Sequence, residues 1–423
     1  MKPTIFNAKT LFNRNEFEEA IGICNKILSS NRISIEALKL ITKSYIALKE
    51  FEIGYKYLKQ IIENYPNEIE TIKEIGNSFQ FSGQLAFAKK CYQHSIRLNR
   101  NYVPALTNLG AIELINKNME KAKALLLKAT KIDPSYSQGW GNLSNYFIQI
   151  NQFDKAEKAI RKTISINPNS FNSYYILGTI LIKKNKLKEA ELMLKKSISI
   201  NPNFALSHSK LSTALKDIGK IKEAKYSINE SIKINPKSYE SFYILGLILI
   251  EENKFDEAIE AFKKSIEINP KSSSSFSSIG MVLKHMKKLN EAEKYMRKSI
   301  SLEPSYTNSY LILNSILKDQ NKKKEGIECL EIAISIDPTS AELYTQIGIS
   351  LKEIGSLKKA KQAFLKSIEL SANNDLCYLN LGTTLIELGE LKYAEEVTQK
   401  AISLNPNLIL GYFNLSLILY KLN

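Results

Sequence analysis

Cysteine, histidine and long apolar runs are what this sequence has least of. Four cysteines occur in 423 residues, Cys24, Cys91, Cys329 and Cys377, far apart and without a CxxC pair. That spacing excludes a disulfide framework and a thiolate zinc site, and leaves buried thiols packed as small apolar groups. His94, His208 and His285 are equally scattered, and none stands in an HExxH motif or beside a cysteine pair. No metal ligand set and no cofactor is expected. The longest apolar stretches, such as residues 243–250, fall short of the roughly 18–20 residues that span a membrane. The N-terminal MKPTIFNAKTLFNRNEFEEA lacks the apolar core of a signal peptide. With neither export nor anchoring signal, the expected location is the cytoplasm.

Catalytic signatures are missing too. There is no GxxxxGK(S/T) loop, no GxSxG elbow after a strand and no strand-rich region to host one. The chain is expected not to be an enzyme. Low-complexity sequence is limited to tracts no longer than Ser272–Ser275, and apolar residues make up 44% of the chain, so no disordered tail is expected.

What the chain has instead is a period. Residues 171–204, FNSYYILGTILIKKNKLKEAELMLKKSISINPNF, hold two apolar stripes. Tyr174, Leu177, Gly178 and Leu181 share one face of a first helix. After Asn185-Lys186, a second stripe runs through Leu187, Ala190, Leu194 and Ile198, and Asn201-Pro202 ends it. Sliding this stretch by 34 residues returns Pro66, Pro134, Pro168, Pro202, Pro236, Pro270, Pro304, Pro338 and Pro406, with no insertion or deletion. With position 1 set at Phe171, position 20 is always small: Ala190, Ala224 and Ala258 among others, with Gly54 and Gly326 as variants. Position 8 is usually Gly or Ser, position 7 is Leu or Ile after the first repeat, and position 4 is usually aromatic. Small residues at 8 and 20 imply that the two helices cross closely there. Departures are Asn314 in the small column and Arg32, Arg100 and Ala372 in the proline column; local softening is expected at those turns.

A strict 34-residue helix–turn–helix period ending in Pro resembles the tetratricopeptide repeat over the whole chain. The resemblance implies an all-α fold: a right-handed superhelical α-solenoid of stacked helix-turn-helix repeats. The expected organisation is a single array over 1–423. Residues 1–34 are an atypical N-terminal capping repeat, with Asn7 in the aliphatic column, 35–408 are eleven full repeats, and 409–423 are a lone C-terminal helix. In this family the first helices line a groove through positions 2, 5, 6, 9, 12 and 13. The chain's net charge of +16 raises the question of nucleic acid. From the second repeat on, however, ten lysines and ten acids occupy those positions, so the groove is neutral on balance. The excess sits late in second helices, as in Arg161-Lys162 and Arg297-Lys298, where it solvates the outer wall. Nucleic acid is therefore not the expected partner; RNA binding is a minor alternative.

Two precedents within the family bear on the groove. A carboxylate clamp, as in co-chaperones of the family, is matched by Lys73, Asn77 and Asn108, but Gln138 and Asn142 replace its last two cations. An asparagine ladder at position 6, as in the repeat region of O-linked N-acetylglucosamine transferases, is matched by Asn108, Asn142, Asn380 and Asn414. Between them the groove turns apolar. Tyr175, Ile176, Tyr243 and Ile244 stand at positions 5 and 6 of alternate repeats, with Ser209-Lys210 and Ser277-Ser278 between, as if a 68-residue block had been duplicated. Thr179 and Thr213 occupy position 9. The implied function is a protein–protein interaction scaffold that binds an extended or helical segment of a partner. The alternative is the substrate-recruiting repeat region of a larger enzyme or complex, such as a glycosyltransferase. The last helix carries Tyr412, Leu415, Ile418 and Leu419, an apolar set expected to face solvent unless a second copy or another domain covers it. A homodimer through that helix is the corresponding expectation.

Overall fold

The computed structural model describes residues 4–30 and 34–422; Arg32 lies outside them. Among the described residues every regular element is a helix, twenty-five in all, running from Ile5–Asn13 to Ile409–Leu422. The helices come in antiparallel pairs that follow the 34-residue frame, as in Phe171–Lys183 with Leu187–Ile200, or Tyr239–Glu251 with Phe255–Ile268. The fold is an all-α repeat array. It divides into two compact units, residues 1–218 and 219–423. In each, a first helix packs on the second helix of its own repeat, and that second helix packs on the next first helix.

Within a repeat the chain reverses at position 15. All twelve residues there are left-handed, from Asn15 at φ 64° through Asn185 at 56° to Gly389 at 79°. Asparagine and glycine tolerate that region; Lys49, Lys117 and Lys287 adopt it at a cost. Between repeats, the second helix closes on a hydrogen bond such as Asn201 N to Ser197 O, 3.0 Å. Among the described residues, the two turns that lack proline close in the same way, Asn99 N to Ser95 O at 3.0 Å and Ser371 N to Ser367 O at 2.9 Å. Position 4 explains its aromatic preference here. Trp140 Nε1, Tyr310 Oη and Tyr412 Oη donate to the carbonyls of Pro134, Pro304 and Pro406 at 3.0–3.2 Å, tying each first helix to the turn before it.

Packing inside a repeat centres on position 8. A methyl group on Gly178 would lie 2.6 Å from Leu194, and one on Gly246 would lie 2.5 Å from the Phe262 ring. The glycine thus seats the large side chain at position 24, which is fully buried as Leu194, Phe262 or Phe364. Burial of this kind stabilises by roughly 1.5–3 kcal/mol per large side chain. Packing between repeats depends on positions 3, 10 and 27. Serines at 27 and 3 of successive repeats meet as buried hydroxyl pairs: Ser197 with Ser207 at 2.7 Å, Ser231 with Ser241 at 3.0 Å, Ser265 with Ser275 at 2.9 Å. Each hydroxyl gives the other the partner that a buried polar group requires. Position 10 is buried almost throughout, as in Ile112, Ile180, Ile248 and Ile316.

That column corrects one expectation. Ile418 is not on the exposed surface of the last helix; it occupies position 10 and is fully buried in the core that includes Leu385, Ala394 and Val397. The outer wall also differs from a simply solvated one. Arg161 bridges Glu157, at 2.8 Å, to Glu189 of the next repeat. Four repeats later Arg297 bridges Glu293 and Glu325, at 2.8 and 2.9 Å. These arginines staple consecutive repeats.

Candidate partner-binding face of the first helices

In residues 1–218 the polar end of this face is organised around Asn77. Its Oδ1 accepts from Tyr92 Oη at 2.8 Å and from Asn108 Nδ2 at 2.9 Å, and Asn108 is 8% exposed. Tyr92, a fully buried position 24 residue, also reaches Gln80 at 2.8 Å. Burial pushes the Tyr92 phenol upward, so it stays a neutral donor. Lys73 is ion-paired with Glu70, which also accepts from Tyr102 Oη. One repeat earlier, Lys39 and Lys43 grip Glu74 at 2.5 and 3.3 Å. The clamp-matching residues Lys73, Asn77 and Asn108 are thus brought together, but the cation is already neutralised and the two amides hold each other. Asn142 Nδ2 points back to the Thr107 carbonyl at 3.4 Å.

Further along this unit, Tyr175 is half-buried and stands edge-on to Phe204, centroids 5.3 Å apart at 88°. Ile176 beside it is half-buried. Thr179 and Thr213 turn their hydroxyls back to the carbonyls of Tyr175 and Ser209, at 3.0 and 3.2 Å.

In residues 219–423, Tyr243 leans on Phe262 at 5.6 Å and Ile244 is half-buried next to it. A pocket of about 190 Å³ opens beside Tyr243, between it and the Ser273–His285 and Thr307–Asp319 helices. Asn380 Nδ2 bonds its own helix at Leu376 O, 2.8 Å, while Asn414 is 7% exposed and its Nδ2 has no hydrogen-bond partner among the described residues. On the last helix Tyr412 is 51% and Leu419 44% exposed, with Leu415 half-buried. Sequence reasoning missed that three of its groove positions are exposed and apolar or aromatic, Leu410, Phe413 and Tyr420. It also missed two clefts on the second-helix side. One of about 630 Å³ is lined by Phe242, Leu249, Leu283, Lys263 and Glu291 among others. The other, about 610 Å³, lies against Tyr378 and Tyr393.

Among the described residues no group of three or more His, Cys, Asp or Glu could hold a metal. The four cysteines are buried, and burial pushes the Cys91 thiol up to about 12, far from a reactive thiolate. No described helix is long and apolar enough to cross a membrane.

Comparison with known proteins places these features in a family. The model of the C-terminal domain of cilia and flagella-associated protein 70 matches residues 68–274. Tetratricopeptide-repeat models match 36–68, 274–306, 341–374 and 377–408. No curated protein matches. Among solved structures, the chain is similar to the APC/C hetero-tetramer Cut9–Hcn1, at 14% identity over 98% of this chain and 89% of that one, TM-score 0.46. It is also similar to YrrB, described as a TPR protein with an unusual peptide-binding site, at 21% identity over 47% and 99%, TM-score 0.39. A third is pilF of Pseudomonas aeruginosa, at 19% identity over 51% and 97%, TM-score 0.45. Repeats of this kind typically form non-catalytic scaffolds that bind protein partners. The chain belongs to the tetratricopeptide-repeat family and is a protein-interaction scaffold.

Proposed function

We propose that the scaffold holds an extended or helical segment of a partner protein along the groove of its first helices. The observation that carries this reading is the side-chain pattern of that face. Half-buried Tyr175 and Ile176 in one unit, and Tyr243 and Ile244 in the other, present apolar area with a polar tip. Tyrosine so placed supplies large contact area at low entropic cost. The partly exposed amides of Asn142 and Asn380 flank them as sites for backbone contacts. The test is capture of partners from a lysate, read by mass spectrometry. Tyr175→Ala with Tyr243→Ala should abolish recovery of the wild-type partners, and Lys195→Glu with Lys263→Glu on the second-helix side should not. Stronger loss from the lysine pair would move the interface to the clefts there.

A second contact is favoured by the exposed apolar side of Ile409–Leu422, where Tyr412, Phe413, Leu419 and Tyr420 lie open to solvent. Patches of this kind mark association surfaces, and we assign this one to a second copy of the chain. Light scattering should show a mass that rises with concentration, and Leu415→Lys plus Leu419→Lys should hold the protein monomeric. A wild type that stays monomeric at high micromolar concentration contradicts it.

A further inference from the structure

The serine tract has a structural consequence. At groove positions 5 and 6, the Tyr239–Glu251 helix carries Tyr243 and Ile244, and the Thr307–Asp319 helix carries Leu311 and Ile312. The Ser273–His285 helix between them carries Ser277 and Ser278. Where Tyr243 meets the small Ser277 and Ser278 a hollow is left, and this is the pocket of about 190 Å³, closed on its other side by Tyr306 and Asn308. Its lining includes Tyr243, Tyr306 and Met281. Among its lining residues the only formal charge is Glu303, whose carboxylate is held at the rim by Ser273 Oγ at 2.5 Å. Ser273 is itself fixed, because its carbonyl accepts from Ser299 Oγ at 2.9 Å.

The surroundings sharpen the sign. Nearby lysines on this face are already engaged: Lys284 with Asp319 at 3.8 Å and Ser315 at 2.5 Å, and Lys318 with Glu353 at 2.6 Å. In a chain of net charge +16, this hollow is an acidic, aromatic-walled exception. An anion would be repelled by Glu303. A cation would meet two tyrosines, serine hydroxyls and a carboxylate, groups that favour positive charge.

Resting on the groove reading above, we infer that this pocket is a specificity subsite for the cationic side chain, lysine or arginine, of the bound segment. Displayed random dodecamer peptides selected on the full chain provide the test. Selected peptides should carry Lys or Arg at one recurring position. Synthetic copies should lose at least about tenfold in affinity on Glu303→Gln. The same loss is expected on Ser278→Ile, which fills the hollow with the residue its neighbours carry at that position; melting curves confirm that both variants fold. Replacing the peptide's arginine by citrulline should cost as much on wild type and little more on Glu303→Gln. Peptides that are displaced by Ile312→Lys, and so bind this face, but show no basic preference or no loss on the two variants overturn the subsite and leave the groove reading intact. Selection that yields no peptide on this face overturns both.

Discussion

Asn314 occupies the space that a methyl group on Gly326 would need, its Oδ1 standing 2.5 Å from where that carbon would lie. The two residues are positions 8 and 20 of one repeat, and their sizes are exchanged relative to the common Gly–Ala pair. Gly54 differs: a methyl there would lie 3.3 Å from Ile46 and from the Thr42 backbone carbonyl, and would not meet the Thr42 side chain. What reads in the sequence as a defect at Asn314 is a compensated pair. Asn314 is 3% exposed and cannot swing into solvent, so Gly326→Ala should destabilise by roughly 1–3 kcal/mol through overpacking. Asn314→Gly combined with Gly326→Ala recreates the pair found in the other repeats and should recover most of that loss. Urea melts of the two single variants and the double variant give the coupling. Additive effects would contradict the exchange.

The turn at position 15 gives a stabilising change. Lys117 has φ 60°, a region that costs a side-chain-bearing residue about 1–2 kcal/mol. Glycine there loses part of that gain to its freer unfolded chain. Lys117→Gly should therefore raise stability by about 0.5–1 kcal/mol, visible as a higher melting temperature. A lower one would mean that Lys117 makes a contact worth more than the strain.

Much of this was legible in the chain, and the gaps have a physical reason. Proline, position 20 and position 4 announce themselves because each carries a residue type that its place demands. Positions 3 and 27 do not. Ser207, Ser231 and Ser275 look like surface residues until a neighbouring repeat covers them and pairs their hydroxyls. Ile418 is hidden for a related reason: position 10 faces the preceding repeat, and its burial there is not visible in the apolar pattern of its own helix. On the candidate face, residue types single out Lys73, Asn77 and Asn108, and the fold joins the two asparagines by a hydrogen bond. Only coordinates reveal that Tyr92 and Glu70 already engage them.

Acid should loosen the seams that paired carboxylates hold, and Glu157 is one that can be tested. Burial pushes the Glu157 carboxyl up, but hydrogen bonds from Lys184, at 2.7 Å, and Arg161, at 2.8 Å, outweigh it and hold Glu157 below its ordinary value of 4.5. A carboxylate depressed in the folded state stabilises fully above its unfolded value, and the contribution is lost as pH falls through the folded one. Glu157→Gln should therefore lower the urea midpoint at neutral pH and differ much less from wild type near about pH 3. An equal offset at both pH values would show that the ion pairs contribute nothing pH-dependent.

The central claim is that a partner segment lies along the first helices, and site-specific photo-crosslinking tests it most directly. A photoreactive side chain placed at Thr179, Asn142 or Tyr243 samples that face, and one at Lys195 or Lys263 samples the second-helix side. On irradiation with the captured partner, covalent adducts should form from the first three positions and not from the two lysine positions. Adducts confined to Lys195 and Lys263 would contradict the account.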